Sequence, residues 1–122
     1  MSVNSLEVKG ADMRAFNDYQ EEVARTWGKL DDGRESLAIL ALGVAGEAGE
    51  VADLIKKHVG HGHDLNLEKL KLELGDVLWY VAAMARVLGV PLSEIARLNV
   101  EKLRARYPDG FSEERSKNRS EK

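Results

Sequence analysis

The chain has 122 residues, 43% hydrophobic and 32% charged, with a net charge of −3 and no cysteine. This reads as one domain with a core of its own, lacking both the basic field of a nonspecific nucleic-acid binder and the thiols of a disulfide framework. The longest apolar run, Val77 to Ala85, is too short for a membrane span, and with no charged-then-apolar N-terminus to suggest a signal peptide, a cytoplasmic protein is expected.

In chain order, residues 1–10 are polar and indistinct, and a frayed arm is expected there. From Asp12 to Trp27, Met13, Phe16, Gln20, Val23 and Trp27 recur at three- and four-residue steps, which predicts an amphipathic helix with Asp12 as its N-cap. Gly28 to Gly33, with Asp31-Asp32-Gly33, reads as a turn. A longer helix is predicted from about Glu35 to Val59, ending in the Gly60-His61-Gly62-His63-Asp64 stretch. Gly43, Gly46 and Gly49 inside it each cost up to ~1 kcal/mol relative to Ala, which calls for close packing or room for a ligand.

A third helix follows from Asn66 or Leu67 to Leu88, ended by Gly89, and its second half is apolar almost all round. Such a helix is covered on several sides. Pro91 suits the first turn of a fourth helix running to about Tyr107, with Ile95, Leu98 and Leu103 expected to pack inward. Residues 112–122 read as a charged, mobile tail. The predicted fold class is all-α: four main helices with short connections, forming a bundle completed by homo-oligomerisation.

Two segments carry the chemistry. Gly46-Glu47-Ala48-Gly49-Glu50 and Glu73-Leu74-Gly75-Asp76 each set two carboxylates three residues apart, so both members of a pair share a helix face. Large aliphatics and glycines flank them rather than lysine or arginine partners. Ionised carboxylates at the edge of a core are costly unless a cation joins them. Oxygen-only ligands select a hard ion, Mg²⁺ or Mn²⁺, over Zn²⁺. The bland alternative is two solvated helix faces.

These two motifs, followed by Asn99-Val100-Glu101-Lys102-Leu103-Arg104-Ala105-Arg106-Tyr107-Pro108-Asp109-Gly110-Phe111, resemble the MazG-like all-α nucleoside triphosphate pyrophosphohydrolases. The resemblance covers roughly residues 13–119. It implies Mg²⁺-dependent cleavage of the α–β phosphate bond of an NTP or dNTP, giving a monophosphate and pyrophosphate, with clearance of unwanted nucleotides as the expected role. By that analogy Glu47, Glu50, Glu73 and Asp76 are metal ligands, with Glu47 or Glu50 as general base. Carboxylates holding a cation suit that chemistry, which needs phosphate charge neutralised and a water activated in line.

Asn99, Lys102 and Arg106 share one face of the fourth helix. A surface stripe would look the same; with the resemblance, Lys102 reads as a phosphate contact, Asn99 as a polar partner, and Arg106 as a further substrate contact. Tyr80, four residues after Asp76, is placed to stack on a base or sugar, whereas Trp79 reads as core. Trp27 and Phe16 are candidates for the base pocket, with aromatic core as the rival reading. His58, His61 and His63 with Asp64 suggest a loop by the phosphate entrance rather than a zinc site. Lys56 and Lys57 suit the negative end of the second helix.

The expected assembly is a tetramer, with a dimer second. Two other activities fit the same pattern: phosphoribosyl-ATP pyrophosphohydrolase of histidine synthesis, and a non-catalytic Mg²⁺-binding oligomerisation module.

Overall fold

A computed structural model of the chain describes residues 7–8, 11–27 and 33–119. Apart from Glu7 and Val8 the expected arm lies outside the described residues, as do 28–32 of the expected turn and the last three residues of the tail. Five helices carry the described chain: α1 Arg14–Ala24, α2 Arg34–His61, α3 Leu67–Val87, α4 Leu92–Arg106 and α5 Glu113–Lys117. The architecture is all-α except for a minimal antiparallel hairpin of β1 (Glu7–Val8) and β2 (Ala11–Asp12), in register Glu7↔Asp12 and Val8↔Ala11.

The helix ends follow local chemistry. The N-cap of α1 is Met13, not Asp12 as expected; Asp12 lies one residue before it, and its carboxylate accepts from the Arg14 backbone N–H at 2.9 Å. α2 runs past its expected end to His61 and stops where Gly62 takes a left-handed φ of 73°. Asn66 caps α3 by accepting from Lys69 N–H at 3.0 Å. That helix closes in a Schellman turn, Val90 N–H to Ala85 C=O at 2.9 Å across the left-handed Gly89.

α2 packs chiefly along α3, while α1 lies across α3 and α4. Val23, Leu40, Ala82, Ala83, Ala85 and Leu92 form the buried centre, with Tyr19, Trp27, Trp79 and Tyr80 against it. The alanines of α3 let the other helices approach closely, so its second half is covered as the sequence predicts. α1 is pinned to the α3–α4 corner by a buried amide: Gln20 Nε2 donates to Ala82 O (3.3 Å) and Val90 O (3.1 Å), and its Oε1 accepts from Leu92 N (3.0 Å). Asn17 Oδ1 accepts from Ser93 N at 2.9 Å. Side chains of α1 therefore satisfy two orphan amides at the start of α4.

Other expectations are corrected as well. The N-terminal arm is paired at Glu7–Val8, with Val8 buried. Within the expected mobile tail, residues 113–117 form α5, because Ser112 Oγ accepts from Arg115 N–H at 3.0 Å. Ile95, Leu98 and Leu103 stay at the surface of α4 rather than packing inward, since α1 engages that helix through its N-terminus. The three helical glycines divide between the two expected uses: Gly43 meets a neighbour closely, while Gly46 and Gly49 face open space.

Candidate functional site

The carboxylates sit where the two longest helices run side by side. α2 presents Glu47 and Glu50 and α3 presents Glu73 and Asp76, each pair one helical turn apart. Glu47, Glu73 and Asp76 each offer an oxygen within 4.8 Å of the other two. Glu50 is not in that group, although its charge reaches Glu47 and Glu73.

Partial burial, before any other cause, raises the Glu47 carboxyl above its ordinary value; a hydrogen bond with Asp76 and the charges of Asp76, Glu73 and Glu50 add to it. Glu73 is raised for the same leading reason, then by Asp76 and Glu50, with Lys69 opposing weakly. The two lysines of α2 are engaged with another carboxylate: Lys57 bonds Asp53 at 2.9 Å and Lys56 reaches it at 3.4 Å. Three crowded carboxylates, two of which resist ionising, offer only oxygen donors and fit a hard divalent cation.

Beside them opens a cavity of about 340 Å³ lined by Thr26, Glu47, Asp76, Trp79 and Tyr80. Its aromatic side is a small stack. Trp79 and Tyr80 meet edge to face at 4.9 Å and 77°, and Trp27 lies behind Trp79 at 6.2 Å and 33°. The Trp79 indole N–H donates to Thr26 Oγ1 at 2.8 Å, and that hydroxyl donates to Val23 C=O at 3.0 Å. On the other flank, burial and the charge of Asp76 hold the Tyr19 phenol above its ordinary pKa.

The structure thus brings Tyr80 to the carboxylates and sets Trp27 one ring back from the cavity. Phe16 does not line it. Trp79, which reads from sequence as core, lines the cavity, and so does Thr26, which carries no sequence signal. A signal for Trp79 exists, since it follows Asp76 by three residues and so shares its face. Thr26 reaches the site only through the fold.

Lys102 and Arg106 line a different cavity, of about 560 Å³, with Ala105, Glu114, Arg115, Asn118 and Arg119 from α4, α5 and the residues after it. The two cavities share no lining residue, and Asn99 lines neither. The second is larger, but the first holds two of the carboxylates, Glu47 and Asp76. The expected histidine loop is corrected: His58 and His61 belong to the last turn of α2 and only His63 lies beyond it; His58 Nδ1 lies 2.7 Å from His63 O, and the His61 and His63 rings are 6.2 Å apart. Among the described residues, the carboxylate trio is the group with metal-binding spacing.

The family model of the MazG nucleotide pyrophosphohydrolase domain matches residues 35–111. The chain is also similar to the Gene 37 protein of Mycobacterium phage L5, 38% identical over 92 residues that cover 72% of this chain and 81% of the phage protein. No solved structure matches it significantly. The matched span contains both carboxylate motifs and the 99–111 segment; Thr26 and Trp27 precede it.

Proposed function

The chain belongs to the MazG nucleotide pyrophosphohydrolase family, and on that premise we propose that it hydrolyses a nucleoside triphosphate to the monophosphate and pyrophosphate at the Glu47–Glu73–Asp76 site. The observation that carries the reading is the convergence of those three carboxylates beside an aromatic-lined cavity. A convex, merely solvated acidic face has no use for Trp79 and Tyr80 against its carboxylates.

Glu47, Glu73 and Asp76 would hold a Mg²⁺ ion, with Mn²⁺ as a substitute. When bound, such an ion neutralises phosphate charge and lowers the pKa of water. Glu50 stands one turn from Glu47 outside that trio, so its oxygens stay free to accept a proton. We assign it the proton of the attacking water as the P–O bond between the α- and β-phosphates breaks and pyrophosphate leaves. Tyr80 and Trp79 provide apolar faces for a base or sugar.

Within one chain the cations of α4 do not reach this cavity. The role proposed for Lys102 and Arg106, contact with the triphosphate, therefore calls for a neighbouring copy. Several aliphatics support such an assembly: Leu42 is 73% exposed, Leu72 71% and Val59 77%, with Leu74 and Leu78 also open. Side chains of this kind on long helices suit burial against another copy.

The deciding experiment incubates purified protein with Mg²⁺ and a panel of triphosphates that includes phosphoribosyl-ATP. Release of pyrophosphate and monophosphate supports the reading, and the preferred member names the substrate. No release with any member, in Mg²⁺ or Mn²⁺, leaves the non-catalytic module.

A further inference from the structure

We propose that Thr26 is a positioning residue: its hydroxyl fixes the Trp79 indole as the wall of the carboxylate cavity, against which a nucleotide's planar ring is held. The inference rests on the nucleotide reading above.

A tryptophan side chain has one hydrogen-bond donor and no acceptor, so one well-directed acceptor fixes the rotation of the ring. Trp79 Nε1 has that partner in Thr26 Oγ1 at 2.8 Å. The acceptor is itself oriented, because Thr26 donates its own proton to Val23 C=O at 3.0 Å, one turn back at the end of α1. A rotating hydroxyl is thereby locked with a lone pair toward the indole. The relay ties the end of α1 to the middle of α3, across 53 residues of sequence.

Two other contacts close the remaining freedom of the indole. Tyr80 meets it edge to face, and Trp27 packs at its back. With its N–H engaged, Trp79 offers a ligand an apolar face and no donor. Such a face recognises a flat ring by stacking, not by reading an edge. Thr26 also lines the cavity, so direct contact with the ligand is the competing role, and the experiment must separate the two.

The test compares wild type with Thr26→Val, Thr26→Ser and Trp79→Phe, and the Thr26→Val/Trp79→Phe double variant completes a cycle. Binding of a non-hydrolysable α,β-methylene triphosphate in Mg²⁺ is measured by calorimetry, and KM and kcat are measured in parallel. Thr26→Val should raise Kd and KM about threefold to tenfold, the loss of one neutral hydrogen bond. Its kcat should stay within about twofold, because orienting a binding wall affects ground state and transition state alike. Thr26→Ser should restore wild-type values. In the Trp79→Phe background, which lacks the N–H, Thr26→Val should bring no further loss.

Unchanged Kd and KM in Thr26→Val overturn the proposal. So does an equal loss from Thr26→Val in the Trp79→Phe background, which would mean that Thr26 touches the ligand itself. A wild type that binds the analogue without turning over triphosphate refutes the hydrolase reading, while the Kd comparison still decides the role of Thr26. A wild type that binds no analogue overturns the proposal outright.

Discussion

The ring of Tyr80 occupies the space that a side chain at Gly43 would fill. A methyl group built on Gly43 would overlap that ring, its Cζ lying only 2.6 Å away. Gly43 on α2 is thus the notch that seats Tyr80 of α3 beside the carboxylates. Tyr80 in turn meets Trp79 edge to face, so the notch sets one side of the cavity.

Gly43→Ala should therefore cost about 1–3 kcal/mol through overpacking, more than the ~1 kcal/mol that helix propensity returns. Gly46→Ala and Gly49→Ala have no neighbour to displace and should each add roughly 0.5–1 kcal/mol. Urea denaturation of the three variants reads the sign directly. A loss at Gly46 or Gly49 would instead mean that another chain packs on that face.

Asp76→Asn should retain the fold and lose most activity, since it removes a charge from the centre of the trio while keeping its shape. The same change should reduce thermal stabilisation by Mg²⁺, expected in wild type at about 2.7 kcal/mol for a hundredfold excess over Kd. Near-normal turnover in Asp76→Asn and also in Glu73→Gln would remove the carboxylates from the mechanism.

The raised carboxyls of Glu47 and Glu73 have a definite sign in stability. A folded-state pKa above the unfolded one means that the folded chain holds the proton more tightly. Their contribution is unfavourable while both are ionised, and it is relieved as pH falls through the raised values toward the ordinary 4.5. Asp12, lowered first by its hydrogen bond to Arg14, and Asp53, lowered first by Lys57, act oppositely, losing their contribution only at more acid pH. Metal-free protein should thus gain stability, relative to Glu47→Gln, between neutral pH and the ordinary glutamate range. A pH-independent difference between the two proteins would contradict the crowding of these groups.

Gln20→Met keeps the length of the side chain and removes three hydrogen bonds at the α1–α3–α4 junction. The buried Leu92 N–H loses its partner, at about 1–3 kcal/mol for such a group. We expect a fall of at least that size in denaturant-derived stability, with KM for any substrate unchanged. A neutral Gln20→Met would mean that the corner holds by apolar packing alone.

Leu72→Glu should shift the protein toward smaller species in sedimentation, because it places a charge on a side chain that is 71% exposed in the single chain. In a monomer the substitution would be silent, within about 0.5 kcal/mol. Unchanged mass together with unchanged stability would place the contact between copies elsewhere.

The sequence alone determined what repeats along a helix. Glu47 with Glu50 and Glu73 with Asp76 had to share faces, because a spacing of three returns a side chain to the same side whatever it packs against. The stop at Gly89 was legible for a related reason, a left-handed end being a local event that glycine takes without strain, whereas the choice of Gly62 over Gly60 as the end of α2 was not. Family membership was legible too, from three short motifs in order. What only the tertiary structure decided were relations between helices. Glu50 drops out of the trio while Glu47 stays, because the packing of α2 on α3, not the spacing, sets which carboxylate points across the groove. Trp79 faces the cavity and Trp27 backs it, an order fixed by Thr26 from 53 residues away. Lys102 and Arg106 lie apart from the carboxylates because α1, through Gln20 and Asn17, anchors the start of α4 and so aims the rest of it. One-dimensional periodicity fixes the face of a residue on its own helix; which helix that face meets depends on contacts between residues distant in the chain.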